Sequence, residues 1–455
     1  MDALARPVVP PAPKAHARPV GPLRLIWGMS TNPLTVWSEQ DYEVLVQRNR
    51  VLGRENWLVN DPAWARHVML DAMPRYRRPL ASARPVRPVT GDGVLLAEGE
   101  AWRGQRRMLA PLFRPAQVGL LLPHFQAAAQ ALAGRLAQAP TANLSAAFHE
   151  GTIDAVLRAL FSLPDNGRRA AIARLARGYV ARAGRPNIFD GYARTHEDFP
   201  FAQASRRRFQ TVWQGAVDAL VAERRTAPAA AVHRDLLDLL LAARDAETGA
   251  PLTDAEVRDQ AATLLFAGFE TTSRLLFWTS YLLALDPVEQ ARLRAEVRAF
   301  PPDHVGALED LQNWPRLRMV LLEALRLYPP VIFLLREAAE PDEIDGLPVS
   351  PGALVWMSPW VIHRHRRFWE RPGAFVPDRF AGQASPWSGG QPFMPFGLGP
   401  RICIGASFAL AEAQVMLANL LARFEFGLTS ARPVLPVGAV TTRPDHEPLF
   451  RLDRA

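Results

Sequence analysis

The amino-acid sequence predicts a mainly α-helical protein with a small β part. Three observations predict it. Long Ala- and Leu-rich stretches carry helix-start and helix-stop residues, the longest running from Thr253 to Leu285. Strand-like runs are short and confined to a few places, chiefly Tyr42 to Val59 and Val331 to Glu337. Apolar residues make up 49% and charged residues 22% of the chain, the balance of a globular protein with a large core.

Each element has a local reason. Residues 1–22 are rich in Pro and Ala without periodicity and read as a flexible leader. From Tyr42 to Val59, two apolar runs broken by Gly53 suggest a hairpin, and Asp61-Pro62 then opens a helix through about Leu70. Arg75 to Leu95, punctuated by Pro and Gly, reads as a loop lying over a pocket. Glu100 to Phe113 turns helical, and several helices follow to Arg225, separated at Pro140, Pro164 to Gly167, Arg185-Pro186 and Phe199-Pro200. Thr253 and Glu256 form a capping-box pattern and Asp286-Pro287 ends the helix between them, about 50 Å long at ~1.5 Å per residue. Trp314-Pro315 starts a helix that stops before Pro329-Pro330, and Ala406 to Phe424 reads as the last.

Composition narrows the function. The formal charge is +8, yet basic residues are scattered beside acids and Lys14 is the only lysine, which reads as a bias toward Arg and not as a nucleic-acid patch. A basic face for an acidic electron donor fits better. No apolar run reaches the roughly 18 residues of a membrane span. The N-terminus lacks a signal-peptide layout and one cysteine makes no disulfide framework, so the expected location is cytoplasmic.

That cysteine, Cys403, could be a small buried hydrophobe. Its neighbours argue for chemistry: Gly399 and Gly405 permit a tight backbone, Pro400 stiffens it, Arg401 adds charge, and the helix that follows favours a thiolate at its N-terminus. Within the long helix, Ala267-Gly268-Phe269-Glu270-Thr271-Thr272 places a glycine and two threonines where each weakens a helix, for a close helix crossing or for a ligand. Trp102 and Arg106 share a helix face, as do Glu323 and Arg326. His363 and His365 follow a strand-like run without metal-ligand spacing and read as packing.

Phe396, Gly399, Arg401, Cys403 and Gly405 match every specified position of Phe-x-x-Gly-x-Arg-x-Cys-x-Gly, and the loop resembles the haem-binding loop of the cytochrome P450 family, soluble bacterial type. Ala267 to Thr272 resembles that family's Ala/Gly-Gly-x-Asp/Glu-Thr-Thr motif, Trp102 to Arg106 its Trp-x-x-x-Arg, and Glu323, Arg326 and Arg379 its Glu-Arg-Arg network, with Asp378 in place of the more usual Glu. The resemblance covers roughly Tyr42 to the C-terminus and implies one domain, 23–455, with haem b between the helix 253–285 and the loop 396–405. It implies that Cys403 is the axial thiolate. Trp102, Arg106, Arg336 and Arg401 would bind the haem propionates, Phe396 would belong to the haem loop, and the small pair Ala267-Gly268 would leave room for dioxygen. Thr271 and Glu270 would relay protons, and Glu323, Arg326 and Arg379 would brace the core.

The implied enzyme is a monooxygenase inserting one atom of O2 into an apolar organic substrate, by hydroxylation or epoxidation. Electrons would come from a separate ferredoxin- or flavodoxin-type donor with its reductase, and the protein would act as a monomer. Helices around Arg168 to Ala183 and Phe201 to Arg225 would form a lid. The substrate pocket would include the loop before Leu96, Leu264 to Phe269, Val331 to Phe333 and the turn near Val437-Gly438. A peroxide-driven peroxygenase or haem-dependent isomerase would not need the Glu270-Thr271 pair; a non-catalytic haem-binding protein is the other alternative.

Overall fold

Caps and apolar spacing resolve into helices packed around one buried helix, with sheets at the periphery, in a computed structural model that describes residues 7–51, 53–163, 167–181, 184, 190, 193, 195–226, 233–383, 385–387 and 391–454. In chain order the helices used below are α1 (Pro22–Thr31), α2 (Pro62–Arg66), α3 (Gly99–Leu109), α4 (Leu122–Leu136), α5 (Leu144–Phe161), α6 (Arg168–Ala181), α7 (Pro200–Thr226), α8 (Asp254–Leu285), α9 (Pro287–Ala299), α10 (Pro315–Leu327) and α11 (Ala406–Leu421). The fold is mainly α with small sheets, as expected. Among the described residues no helix is long and apolar enough to cross a membrane.

Helix α8 is the axis. Its N-terminus closes with the expected capping box: Glu256 N–H donates to Thr253 Oγ1 at 3.3 Å and Thr253 N–H donates to Glu256 Oε2 at 2.8 Å. Pro287, first residue of α9, cannot continue it. Leu265, Phe269, Leu276, Phe277 and Trp278 are fully buried, since α8 is covered by helices on several sides. The crossing with α5 is close. Thr152 Oγ1 donates to the Phe269 carbonyl at 3.0 Å, and a Cβ added to Gly268 would lie 3.1 Å from Val156 Cγ2.

The main sheet gathers β1 (Val46–Val51), β2 (Arg54–Val59), β3 (Tyr76–Arg77), β5 (Leu334–Ala338) and β8 (Leu354–Met357) in the order β1-β2-β8-β5-β3. The expected hairpin is β1 with β2, in register Val46 to Val59, turning at Gly53 with φ +78°. A smaller sheet joins β4 (Thr141–Asn143), β9 (Phe424–Leu428) and β12 (Leu449–Arg454), while β6 (Asp342–Ile344) pairs with β7 (Leu347–Val349) and β10 (Pro436–Gly438) with β11 (Thr442–Pro444).

Two expectations about chain segments change. From residue 7 the Pro- and Ala-rich beginning is held against the body: Phe375 N–H donates to the Val8 carbonyl at 2.8 Å, Tyr328 Oη to the Pro11 carbonyl at 2.8 Å, and His16 bridges to Ser38. Carbonyls of an extended Pro-rich segment need no periodic side chains to dock. Arg75 to Leu95 holds short helical turns at Leu80–Ala83 and Arg87–Thr90, too brief for a helical period to register. The expected lid helices are α6 and α7; most of 182–199 lies outside the described residues, as do 164–166 between α5 and α6.

Candidate functional site

The loop before α11 is held through its backbone. Cys403 N–H donates to the Phe396 carbonyl at 2.8 Å, Ile402 N–H to the Gly399 carbonyl at 3.0 Å and Gly397 N–H to the Met394 carbonyl at 3.1 Å. Gly399 has φ +70°, and a Cβ there would sit 2.3 Å from the Met69 carbonyl oxygen, so no other residue fits. Phe396 stacks edge-on against Trp387 with ring centroids 5.2 Å apart. The Cys403 side chain keeps an accessible face while protein encloses the rest. Burial pushes its thiol upward; the Gly405 N–H and the positive charge of Arg106 oppose that and favour the thiolate.

Behind this loop lies the charged network. Glu323 and Arg326 on α10 are both fully buried and paired twice, Arg326 Nε to Glu323 Oε2 at 2.7 Å and Arg326 NH2 to Glu323 Oε1 at 2.8 Å. Arg379 Nε reaches Glu323 Oε1 at 3.3 Å. Arg326 also donates to the carbonyls of His363 (2.8 Å), Pro372 (2.7 Å) and Ala374 (2.9 Å), so one guanidinium ties two passing stretches of chain to α10. His363 then accepts the Met394 N–H on Nε2 at 2.8 Å, which links the network to the start of the Cys403 loop. Burial holds the His363 imidazole neutral, the state this bond needs. His365 packs on Phe368 and meets the Val44 carbonyl at 3.1 Å. Asp378, the departure from the family pattern, pairs with Arg316 at 3.3 Å.

Arginines converge on the other side of the loop. Arg401 lies over the Trp102 ring, 4.4 Å from its centroid, donates to the Ala97 carbonyl at 2.9 Å and pairs with Glu98. Arg336 on β5 is buried and donates to the Leu335 carbonyl at 2.9 Å. Burial, and then the like charges of Arg78 and Arg401, lower its pKa to about 9; burial and Arg401 lower that of Arg78 to about 10. Arg78 Nε is buried without a partner. Burial also lowers Arg106, opposed by Cys403. Glu98 is the one carboxylate acting on Arg78, Arg336 and Arg401, so the cluster suits a ligand that brings anionic groups of its own. Arg78 was not singled out in the sequence: it sits beside Arg77 in a segment without motif, and only the tertiary pairing of β3 with β5 brings it to Arg336.

On α8 the motif residues diverge. Thr271 Oγ1 donates to the Ala267 carbonyl at 2.8 Å, and Ala267 is exposed midway along an otherwise buried helix. Of the small pair Ala267-Gly268, Gly268 is turned against Val156 of α5, where its smallness serves the helix crossing that was the other reading of this glycine, and Ala267 is the member beside Thr271. Glu270 points away from Thr271 into the interior. Its Oε1 accepts from Thr441 Oγ1 at 2.7 Å and Arg274 Nε at 3.1 Å, and its Oε2 lies 3.4 Å from His149 Nδ1. Thr441 and His149 carried no sequence signal toward Glu270, because they lie more than a hundred residues from it in the chain, whereas Arg274 sits i+4 from Glu270 on α8, a spacing the sequence does carry.

The arrangement thus offers a soft anionic ligand on one side, cations for an acidic group at the rim, and a hydroxyl on a small-residue turn of α8. These are the donor set and charge balance that a haem with two carboxylates requires. Among the described residues no group of three or more His, Cys, Asp or Glu could hold a bare metal ion.

Comparison with known proteins agrees. The sequence profile described as Cytochrome P450 matches residues 37–445. A cytokinin hydroxylase of Arabidopsis thaliana is 31% identical over 363 residues, 78% of this chain and 70% of that protein. Taurochenodeoxycholic 6 alpha-hydroxylase of Sus scrofa is 30% identical over 412 residues, covering 85% and 79%. Among solved structures, the retinoic acid bound cyanobacterial CYP120A1 superposes with a TM-score of 0.75 at 23% identity, over 90% of this chain and 92% of the other, a likeness of fold.

Proposed function

From the premise that this chain belongs to the cytochrome P450 family, we propose that its site residues divide the work of a haem-thiolate monooxygenase as follows. The enzyme class itself follows from the family and its hydroxylase members. When bound, the haem supplies dioxygen activation: one oxygen atom enters a C–H or C=C bond, and the other leaves as water with two electrons from a separate redox partner and two protons.

Cys403 would hold the haem iron through its thiolate. It is the chain's only cysteine, its N–H is fixed to the Phe396 carbonyl, and Arg106 favours its charged form. The cofactor is haem b, and the paired cysteines of c-type attachment are absent from the sequence. Arg106, Arg336, Arg401 and Arg78 take the propionates, with Trp102 beneath Arg401. Thr271 holds a proton at Oγ1 beside Ala267, and Glu270, held by Thr441, exchanges protons with solvent. Phe396 and Gly399 shape the loop, and Glu323, Arg326 and Arg379 brace it through His363.

The substrate is an apolar organic molecule, bounded by Leu264 to Phe269, Val331 to Phe333 and the turn near Val437-Gly438, beneath a lid of α6 and α7. Relatives named as hydroxylases of cytokinin and of taurochenodeoxycholic acid support hydroxylation as the reaction. The electron donor is an acidic ferredoxin or flavodoxin with its reductase, matched to a chain of charge +8. The protein acts as a cytoplasmic monomer whose domain spans 23–455.

The observation that carries this reading is the Cys403 loop with its inward-held backbone. The test is the reduced carbon monoxide spectrum. Wild type gives the thiolate-type band and Cys403→Ser loses it; survival of the band in that variant refutes the ligand assignment. Turnover with dioxygen and a reductase, set against hydrogen peroxide, then checks the proton pair: Thr271→Ala loses about tenfold or more of its dioxygen-driven product while peroxide turnover persists.

A further inference from the structure

A surface cavity of about 450 Å³ opens beside α8, lined by Thr31, Ser145, Arg274, Ala439, His446 and Glu447 among others. Arg274 is the link inward. Its Nε donates to Glu270 Oε1 at 3.1 Å and its NH1 to Ser145 Oγ at 3.0 Å, so the cavity wall is one side chain from the Glu270 carboxylate. Two buried polar atoms of the Glu270–His149 pair behind Arg274 have no hydrogen-bond partner: Glu270 Oε2 and His149 Nε2, on residues 2% and 7% exposed. Such orphaned atoms, in a polar cluster beside a cavity, are the groups that ordered water satisfies.

One further residue fixes the carboxylate. Thr441, 2% exposed, lies in the turn between β10 and β11 and donates to Glu270 Oε1 at 2.7 Å. The turn is itself pinned, with Thr442 N–H donating to the Pro330 carbonyl at 3.0 Å and Gly438 packed where a Cβ would lie 2.6 Å from Ile332 Cδ1. Thr441 therefore binds one oxygen of Glu270 and leaves the other, Oε2, toward His149. Burial keeps His149 neutral, with a pKa lowered to about 4, so it can pass a proton without first holding a charge.

We propose that this cavity is the solvent mouth through which Glu270 takes up protons, and that Thr441 is the positioning residue that holds the Glu270 carboxylate to it. The inference rests on the reading of Glu270 as the acid of the monooxygenase. It places proton uptake on the β10–β11 side of α8. Val437 and Gly438, assigned above to the substrate pocket, also line this cavity, so one hairpin borders both while Thr441 in its turn sets the acid.

The test uses the ferric holoenzyme and four variants. The infrared carboxylate band of Glu270 is identified as the band missing in Glu270→Gln. Thr441→Val shifts that band, lowers product per electron pair about fivefold to tenfold, and raises the solvent deuterium isotope effect, whereas Thr441→Ser keeps all three near wild type. Thr31→Trp, at the exposed rim, raises the isotope effect and leaves the band in place. A Thr441→Val enzyme with the wild-type band overturns the positioning role, even if product falls. A Thr31→Trp enzyme with the wild-type isotope effect overturns the mouth. If Glu270→Gln couples electrons to product as wild type does, the acid assignment fails instead, and the band shift in Thr441→Val still reports the contact.

Discussion

Around Cys403 the backbone holds the geometry, whereas around Glu270 side chains do. The Cys403 loop is fixed by N–H to carbonyl bonds within Met394 to Cys403 and by the contact of Gly399 with the Met69 carbonyl. The Glu270 carboxylate is fixed by Thr441, Arg274 and His149, drawn from three separate stretches of chain. A backbone-held site writes its requirements locally, as glycines and a proline at set spacing. A site held by side chains writes them wherever the fold brings a donor.

The largest expected effect lies behind the loop. Arg326→Ala leaves Glu323 buried with its charge largely uncompensated and frees three carbonyls, so unfolding stability falls by about 3–5 kcal/mol, read from the denaturant midpoint of the holoprotein. A smaller loss would mean that the loop depends less on the network than its hydrogen bonds imply. Gly399→Ala comes next: strain at φ +70° and collision with the Met69 carbonyl cost about 2–3 kcal/mol, with loss of haem retention on desalting. A haem-retaining, stable Gly399→Ala protein would break the contrast, because the loop would then tolerate a side chain where its backbone leaves no room.

Two smaller effects probe the side-chain-held regions. Between pH 6.5 and about 4 the unfolded chain protonates His149 while the folded protein does not, so this group withdraws stability as pH falls through that window. The contribution is on the order of 2 kcal/mol and appears as the difference in urea midpoint between pH 7 and pH 5 that His149→Gln abolishes. Arg78→Gln has opposite signs in two measurements. Removing one of three mutually repelling buried arginines raises apoprotein stability by roughly 0.5–1 kcal/mol, while haem binds about tenfold more weakly. An apoprotein that loses stability would show that Arg78 is a structural residue.

The same contrast explains what was legible in the sequence. Trp102 with Arg106, Glu323 with Arg326, and Phe396 to Gly405 are readable because each pattern fits within one helix face or one loop. Helix α8 was readable to its capping box, since Thr253 and Glu256 signal it within four residues. Arg78, Thr441 and the His363 to Met394 bond were not readable, because each acts only after distant segments pair. Which member of the Ala267-Gly268 pair meets Val156 was not readable, for spacing along α8 does not say which face meets α5. The start of the chain was read as free for a related reason: docking through the carbonyls of Val8 and Pro11 leaves no pattern in side chains.

Those N-terminal contacts bear on how the chain reaches its final form. Val8 is tied to Phe375 and Pro11 to Tyr328, while β12 closes the other end by pairing with β4 and β9, Leu449 opposite Asn143 and Leu452 N–H on the Pro140 carbonyl. The Val8 and Pro11 contacts and the pairing of β12 with β4 each span about three hundred residues or more, so none can form until the segments on both sides of that span have been made. Synthesis therefore delivers α4, α5 and α8 first, as a helical nucleus lacking its outer straps. The Cys403 loop rests on Met69 and, through His363 and Arg326, on α10, so the residues that would hold the cofactor come together only after segments far apart in the chain have docked.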